Sequence, residues 1–532
     1  MYAAARSADH RGKEGLRTDN QERGQSFTLL TVLSGTSNLG WAAHLPTDLA
    51  PDSVDILAGA NLPAAFSHHW LERPSALALR DIDGTWLTSE ELATRTAIAA
   101  RRLRAAGFLP GDRVVVCAGT SAALVCAYVA LLRAGLVAVP VNPTYTRGEV
   151  ERVVRAARPA AAIVSDGERA RWIRGAAPGC AVSGLDLGFE AVGQGGEVAL
   201  DVARTDDPAL LMYTSGTTGT PKGALLSHGN LLSSARAVAL AWRWTPEDRL
   251  LLTLPLFHVH GLGVGIIGSL VSGSQVVLRP GFSPDDIAEQ AGDDVTMFFA
   301  VPAMYQRLVA SGHAEALAPL RLLVSGSAAL SAAQSDAVAE AAGQRPLERY
   351  GMTETMMITS NPIAGPRKPG KVGLPLPGVE LRLAEDGEVQ VRGPNVMSGY
   401  DLAQPGEEDG FTADGWLRTG DLGELDEDGY LRLVGRSKEL IISGGFNVHP
   451  REVEETLAAF PGVREVAVIG RPSDEWGEAV TAVVVAEEGA IDADELRGFA
   501  AERLAAYKVP KAVEFVDALP RNAMGKIVRA DL

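Results

Sequence analysis

Residues 112–143 read DRVVVCAGTSAALVCAYVALLRAGLVAVPVNP. The run through Val114–Cys117 is apolar at every position, as in a strand covered on both faces. Residues 121–135, SAALVCAYVALLRAG, form an apolar helix that stops at Gly135. LVAVPVNP (136–143) is the next strand. This strand–helix–strand rhythm predicts a parallel sheet packed between helices. Upstream, LTSEELATRTAIAARRLRAAG (87–107) is an amphipathic helix with an N-cap signal and a glycine stop. The rhythm returns at 251–324, with strands near Leu250–Pro255, Ser274–Arg279, Thr296–Val301 and Arg321–Val324. From about 370 to 436 short alternating strands take over, VELRLAEDGEVQVRG and GDLGELDEDGYLRLVG, which predict an antiparallel sheet or small barrel. After Arg436 a compact mixed unit follows, and the boundary is placed at Ser437–Lys438. The fold class is α/β: a large N-terminal domain of parallel α/β sheets plus a small antiparallel β subdomain (52–437), then a small C-terminal α+β domain (438–532).

The chain has 532 residues, 46% hydrophobic and 22% charged, enough to bury a full core. Its net charge of −17 argues against nucleic acid and against an anionic membrane surface as partners. Three cysteines, Cys117, Cys126 and Cys180, fit reduced thiols in a cytoplasmic protein. No apolar run reaches the length of a membrane span. Residues 1–51 open with a polar, aperiodic stretch and are expected to be a disordered, dispensable tail. SFTLLTVLSG is too short and too late for a secretion signal, and Asp9, Glu14, Asp19 and Glu22 are unlike a transit peptide.

Residues 213–223 read YTSGTTGTPKG. Coming after the apolar strand 209–212, its glycines and hydroxyls suit a loop whose backbone N–H groups close around phosphates. Lys222 adds a point charge. Pro221 and Gly223 flank that lysine, so this is not the Gly-Lys-Ser/Thr phosphate loop. Only eight lysines stand among 49 basic residues, and three of them, Lys222, Lys438 and Lys526, lie in motif-like segments. LPLFHVHGLG (254–263) sets His258 and His260 two apart, on one face if the segment is a strand. A metal pair, satisfied core histidines and a substrate-pocket wall are the three readings. SGSAAL (325–330) offers small residues against which a planar ring can lie. ERYGMTET (348–355) joins a carboxylate to hydroxyls, a setting for Mg²⁺ on phosphate, or else a capping box that opens a helix. RTGDLG (418–423) reads as a turn presenting Asp421 to ribose hydroxyls. GRSKELIISGG (435–445) brings Arg436, Lys438, Gly444 and Gly445 to the boundary, and RNAMGKI (521–527) puts Lys526 in a glycine-bearing turn.

In this order the motifs resemble the AMP-forming acyl-CoA synthetases of the adenylate-forming superfamily, over about residues 52–532. The resemblance implies a mobile C-terminal domain and three ligands: ATP with Mg²⁺, coenzyme A and a carboxylic acid. It implies that Thr214, Ser215, Gly216, Thr217, Thr218, Gly219 and Lys222 hold the β- and γ-phosphates. Glu354 resembles the Mg²⁺ ligand, and Thr353 or Thr355 would reach the α-phosphate. Gly326, Ser327 and Ala328 with Tyr350 and Gly351 would hold adenine, and Asp421 and Arg436 the ribose. Lys438 matches the hinge. Lys526 matches the lysine that bridges acyl carboxylate and phosphate, making it catalytic beside Lys222 and Glu354. Gly444 and Gly445 would line the pantetheine tunnel. His258, Arg321 and Met352 are the expected acid contacts.

HVHGL, RLLVSGSAAL, ERYGMTET and TSNP look most like malonyl-CoA synthetases. Two departures stand against that. Gly281 replaces a basic residue before Phe282, and Ile358 replaces a polar one. With His258 and Arg321 as the anchors considered, a second carboxylate would be half-paired, at a cost of several kcal/mol. A monocarboxylic acid of short to medium length is therefore expected, with malonate or methylmalonate close behind. A carrier-loading adenylation enzyme, a luciferase-type oxidoreductase and a catalytically dead binding module are the competing classes. Against the first, the amino-acid-binding aspartate that class would carry just after the 254–263 segment has no counterpart in GLGVGIIGS. The last is at odds with intact Lys526, Glu354 and Lys222.

Overall fold

The structure is a computed structural model. It describes residues 40–532 apart from 59–60, 190–198, 215–221, 293, 402–409, 474, 488–490 and 523–525. Two large sheets dominate. One has seven strands, Gly399–Asp401, Lys222–Ser227, Pro208–Thr214, Val137–Pro140, Arg113–Cys117, Ala161–Val164 and Ala181–Ser183, in that spatial order. The first three of these are joined antiparallel, and from Pro208–Thr214 onward the pairs are parallel. The other sheet has nine strands with a parallel centre, in which Leu347–Met352, Leu322–Ser325, Met297–Ala300, Arg249–Leu252 and Gln275–Leu278 lie in sequence.

Helices Ser89–Ala105, Ala122–Arg133 and His228–Ala241 bury their apolar sides in a core reached by both sheets. Val114, Val116 and Leu210 meet it from one side, and Leu250, Leu252 and Val324 from the other. The alternate residues face outward into separate clusters: Leu251, Phe298 and Leu323 under Tyr305 and Leu308, and Val115, Val139 and Leu211 under Val150, Val154 and Ile173. Apolar residues on both faces of each strand are what a helix-covered parallel sheet requires. The helix read at 87–107 begins with a full capping box, Thr88 with Glu91.

Glu380–Leu383, Glu388–Arg392, Leu417–Leu425 and Leu431–Arg436 form the expected antiparallel sheet. A short 3₁₀ turn at Ser437–Glu439 leads into a five-stranded sheet with helices Pro450–Leu457 and Ala493–Ala501. Part of the expected tail is folded. Gly40–His44 forms a 3₁₀ turn, and Trp41 and Leu45 are buried with Val54 and Ile56. His44 also contacts the Leu374 carbonyl at 3.3 Å. Trp41 and Leu45 supply the apolar surface that the polar start of the segment lacks. Residues 1–39 lie outside the described residues.

Candidate active site

Ligands of open α/β sheets collect beyond the C-terminal ends of the parallel strands, and most of the motif residues gather there. The phosphate-loop segment joins the hairpin Pro208–Thr214 and Lys222–Ser227, in which Thr214 pairs with Lys222. Of the loop, Ser215, Gly216, Thr217, Thr218 and Gly219 lie outside the described residues. Lys222 Nζ sits 5.3 Å from the centre of the Tyr400 ring. Tyr400 in turn donates its hydroxyl proton to Glu354 Oε1 at 2.7 Å.

ERYGMTET forms a β-hairpin, with strands Leu347–Met352 and Met356–Ser360, and does not open a helix. Met356 has φ +55° and Ser327 φ +69°. Such backbone is costly for side-chain-bearing residues and gathers at functional sites. Glu354 is 6% exposed, and burial raises its carboxyl pKa, with the Tyr400 hydrogen bond opposing. Thr355 is fully buried and Thr353 is only partly so. Thr353 lines a small cleft of about 30 Å³ with His258, Asn142 and Tyr213, so it is the threonine that faces an open site. Burial lowers the pKa of His258 to about 4, which keeps it neutral.

The 254–263 segment is not a strand. Pro255 and the glycines give a turn followed by a π-helix, His260–Ile267. Wider helical turns of this kind concentrate at functional sites. His260 Nδ1 lies 3.2 Å from Ser327 Oγ, and no group of three or more candidate metal ligands occurs among the described residues.

Tyr350 is buried and donates to Asp421 Oδ2 at 2.5 Å, while Arg436 Nε donates to Asp421 Oδ1 at 2.9 Å. Asp421 belongs to the strand Leu417–Leu425 and pairs in register with Arg436, so RTGDLG is strand where a turn was expected. Cross-strand pairing fixes the ion pair better than a turn would. Lys526 reaches this pair from the far end of the chain. Burial and the like charge of Arg436 lower its pKa, while Glu439 and Asp421 raise it. The turn holding it is closed by Asn522 N–H to the Lys526 carbonyl at 2.9 Å and Lys526 N–H to Asn522 Oδ1 at 3.0 Å. Lys438 lies in the exposed 3₁₀ turn, and Gly444 and Gly445, with φ +58° and +80°, make a two-residue hairpin turn beside Trp476.

Arg321 is misplaced by the sequence reading. It precedes the strand Leu322–Ser325, at the end away from the site. There its guanidinium grips buried Asp248 and donates to the Trp242 carbonyl at 3.0 Å. Its partner Asp248, 73 residues away in sequence, is invisible to local patterning.

Two other arginines lie nearer the motif residues. Arg349 is 4% exposed, and its Nε and Nη2 have no hydrogen-bond partner among the described residues. Burial lowers its pKa to about 9. It lies against Gly326, where a Cβ would sit 2.3 Å from the guanidinium carbon, so a larger residue there would require the arginine to shift. Arg307, over the Phe282 ring at 4.9 Å, lines a cavity of about 460 Å³ with Gly281, Phe257, Asn142, Val301 and Met304. A charged residue inside an otherwise buried strand was the signal for Arg349. Gly281 does line the cavity, but Ile358 is buried in the core.

Next to Arg349, Glu348 is buried, and its Oε1 accepts the Gly370 N–H at 2.9 Å. Burial pushes its pKa up to about 7, against Arg451 and Arg345. An unfolded glutamate titrates near about 4.3, so between there and about 7 the folded chain holds a proton that the unfolded chain does not. This group's contribution to stability is therefore full below that window and falls as pH rises through it. Glu348→Gln should remove that fall. Melting curves of wild type and variant from mildly acidic to mildly alkaline pH give the comparison, and a pH-independent difference would refute the assignment.

A protein-family model described as "AMP-binding enzyme" matches residues 66–401, and one described as "AMP-binding enzyme C-terminal domain" matches 452–526. The chain belongs to the AMP-binding enzyme family. It is 38% identical over 477 residues to a feruloyl-CoA synthase of an Amycolatopsis species, covering 86% of this chain and 96% of that one. It is 40% identical over 367 residues to a malonate–CoA ligase of Arabidopsis thaliana, covering 62% of this chain but only 60% of that enzyme's length. The ATP-bound crystal structure of MatB from Rhodopseudomonas palustris superposes with a TM-score of 0.82 at 39% identity, covering 88% of this chain and 97% of that one. As a member of this family the chain is an AMP-forming acyl-CoA synthetase, an ATP-dependent acid–CoA ligase. Among its described residues no helix is long and apolar enough to cross a membrane.

Proposed function

We propose that this acyl-CoA synthetase activates a short dicarboxylic acid of the malonate class. The observation that carries this reading is Arg349, a buried guanidinium with two nitrogens that have no partner among the described residues, beside the Gly326 loop. An uncompensated buried charge costs several kcal/mol, and a carboxylate that enters with the ligand removes the cost. Arg307 offers a second cation at the cavity wall. In this reading the second carboxylate is met by Arg349 and does not depend on a residue at position 281.

The residue roles in this reading are those the family resemblance implies. Lys222 and the 214–219 loop hold the β- and γ-phosphates. Gly326–Ala328 and Tyr350–Gly351 hold adenine, and Asp421 with Arg436 holds the ribose. Glu354 fits Mg²⁺, because this ion takes one or two carboxylates and completes its shell with phosphate and water. Bound there, the ion would offset phosphate charge. His258, Met352 and Thr353 wall the path from the acid to the α-phosphate. Lys526 brings a positive charge to where acyl oxygen and phosphate meet, so acyl-adenylate and pyrophosphate form in a site of positioned charges. Lys438 then serves as the pivot of a domain rotation, and Gly444 and Gly445 pass the pantetheine thiol that takes the acyl group and leaves AMP. Three unpaired cysteines fit a cytoplasmic location.

A second reading, a monocarboxylic acid of short to medium length, draws on the apolar walls of the 460 Å³ cavity. Each buried CH₂ would contribute about 0.8 kcal/mol there. The test is kcat/KM from CoA-dependent AMP release over acetate, butyrate, hexanoate, malonate, methylmalonate and an aryl acid. Malonate or methylmalonate should exceed butyrate. A steady rise from acetate to hexanoate with malonate at the bottom would overturn the dicarboxylate reading.

A further inference from the structure

One segment ties the phosphate hairpin to the Glu354 turn, and no residue of it was picked out in the sequence. Residues 394–401 run between the two. Asn230 of the helix after the phosphate hairpin donates to the carbonyls of Pro394 and Val396, both at 2.8 Å. Asn395 donates to the carbonyls of Thr355 and Met357 at 2.7 and 3.1 Å. Met397 N–H donates to the Glu354 carbonyl at 2.7 Å. The chain then becomes the edge strand Gly399–Asp401, with Tyr400 opposite Ala224 and Asp401 opposite Gly223. Arg113 pins this strand through two 2.7 Å hydrogen bonds to the Asp401 carboxylate.

Tyr400 is thus held on both sides. Its hydroxyl donates to Glu354 Oε1 at 2.7 Å, and its ring lies under Lys222 Nζ at 5.3 Å. We propose that Tyr400 is a positioning residue that sets the Glu354 carboxylate and the Lys222 ammonium at a fixed separation for a metal–nucleotide. The two functions sit on different atoms. The O–H fixes the rotation of the carboxylate, as the outer partners of metal ligands generally do. The ring face attracts the cation. This inference rests on the reading that Glu354 and Lys222 act on Mg²⁺ and phosphate.

The separation of atoms gives the test. ATP binding is measured by calorimetry with Mg²⁺ and with EDTA. Tyr400→Phe keeps the ring and loses the hydroxyl. It should bind ATP like wild type in EDTA and about tenfold more weakly with Mg²⁺, the scale of one hydrogen bond to a charged group. Tyr400→Leu should weaken both arms. Glu354→Gln should weaken only the Mg²⁺ arm, and Lys222→Ala both. If Glu354→Gln and Lys222→Ala both behave as wild type, the underlying reading fails. If they respond as expected while Tyr400→Phe matches wild type in both arms, or loses equally in both, the positioning role is overturned. Melting temperatures of the ligand-free variants accompany the titrations, and a folded Tyr400→Phe with a selective Mg²⁺ defect is the supporting result.

Discussion

Arg349→Met should cut kcat/KM for malonate by about 10²–10³ while leaving butyrate within a few-fold of wild type. Breaking a buried, hydrogen-bonded charge pair costs about 3–5 kcal/mol, and each 1.4 kcal/mol is a factor of ten. In the wild type the pair forms only when the second carboxylate is present, so a monocarboxylate has little to lose in the variant. Methionine also fits the guanidinium's space without a buried charge. The ligand-free variant should therefore melt no lower than wild type, because buried ions replaced by apolar groups of similar volume are neutral or stabilising. The measurement is steady-state kinetics on both acids, with a thermal melt as control. Equal losses on malonate and butyrate would assign Arg349 to the nucleotide side or to folding. A malonate rate unchanged by the substitution would remove the basis of the proposed specificity.

Lys526→Ala should lower acyl-adenylate formation by about 10²–10³, the scale of losing one positioned charge donor at a developing oxyanion. Thioester formation from preformed acyl-adenylate should keep most of its rate. Lys526 is brought to the Asp421–Arg436 pair by a turn closed through Asn522. Its ammonium is desolvated there, which strengthens its field on phosphate. In the second step the thiol displaces AMP, which leaves with the bonding electron pair, and the proposed rotation at Lys438 has by then carried Lys526 away from the reacting atoms. Pyrophosphate exchange and single-turnover thiol transfer separate the two. A comparable fall in both would place Lys526 in general nucleotide binding.

Much of the fold was legible because parallel strands covered by helices have no polar face. Runs such as Val114–Cys117 and Met297–Ala300 announce themselves in one dimension. The capping box at Thr88–Glu91 likewise needs only local spacing. The errors came where meaning depends on a distant partner. Arg321 looked available until Asp248 appeared beside it, and Arg349 looked ordinary until no carboxylate did among the described residues. The histidine segment failed differently. Its apolar run suits a strand, but Gly261 has backbone oxygens of Leu254 and Pro255 within 3 Å of any Cβ, and this tight packing coils the segment. Tyr400 was missed because a tyrosine in a three-residue edge strand carries no pattern of its own.

The core shared by the two large sheets has a bearing on how this molecule comes apart. Helices Ala122–Arg133 and His228–Ala241 each supply residues to one apolar cluster that both sheets enter. Neither sheet can shed its neighbour without wetting the helices between them. Because strands Leu77–Arg80 and Trp86–Thr88 belong to the nine-stranded sheet and Gly399–Asp401 to the seven-stranded one, no single cut in the chain separates the two sheets. Heat or denaturant should accordingly melt residues 62–360 in one transition. The sheet after Ser437, whose centre is a separate cluster of Ile441, Val448, Val468, Val480 and Leu496, is free to lose its structure at a different temperature. Calorimetry of the whole chain would then record two endotherms of very unequal area.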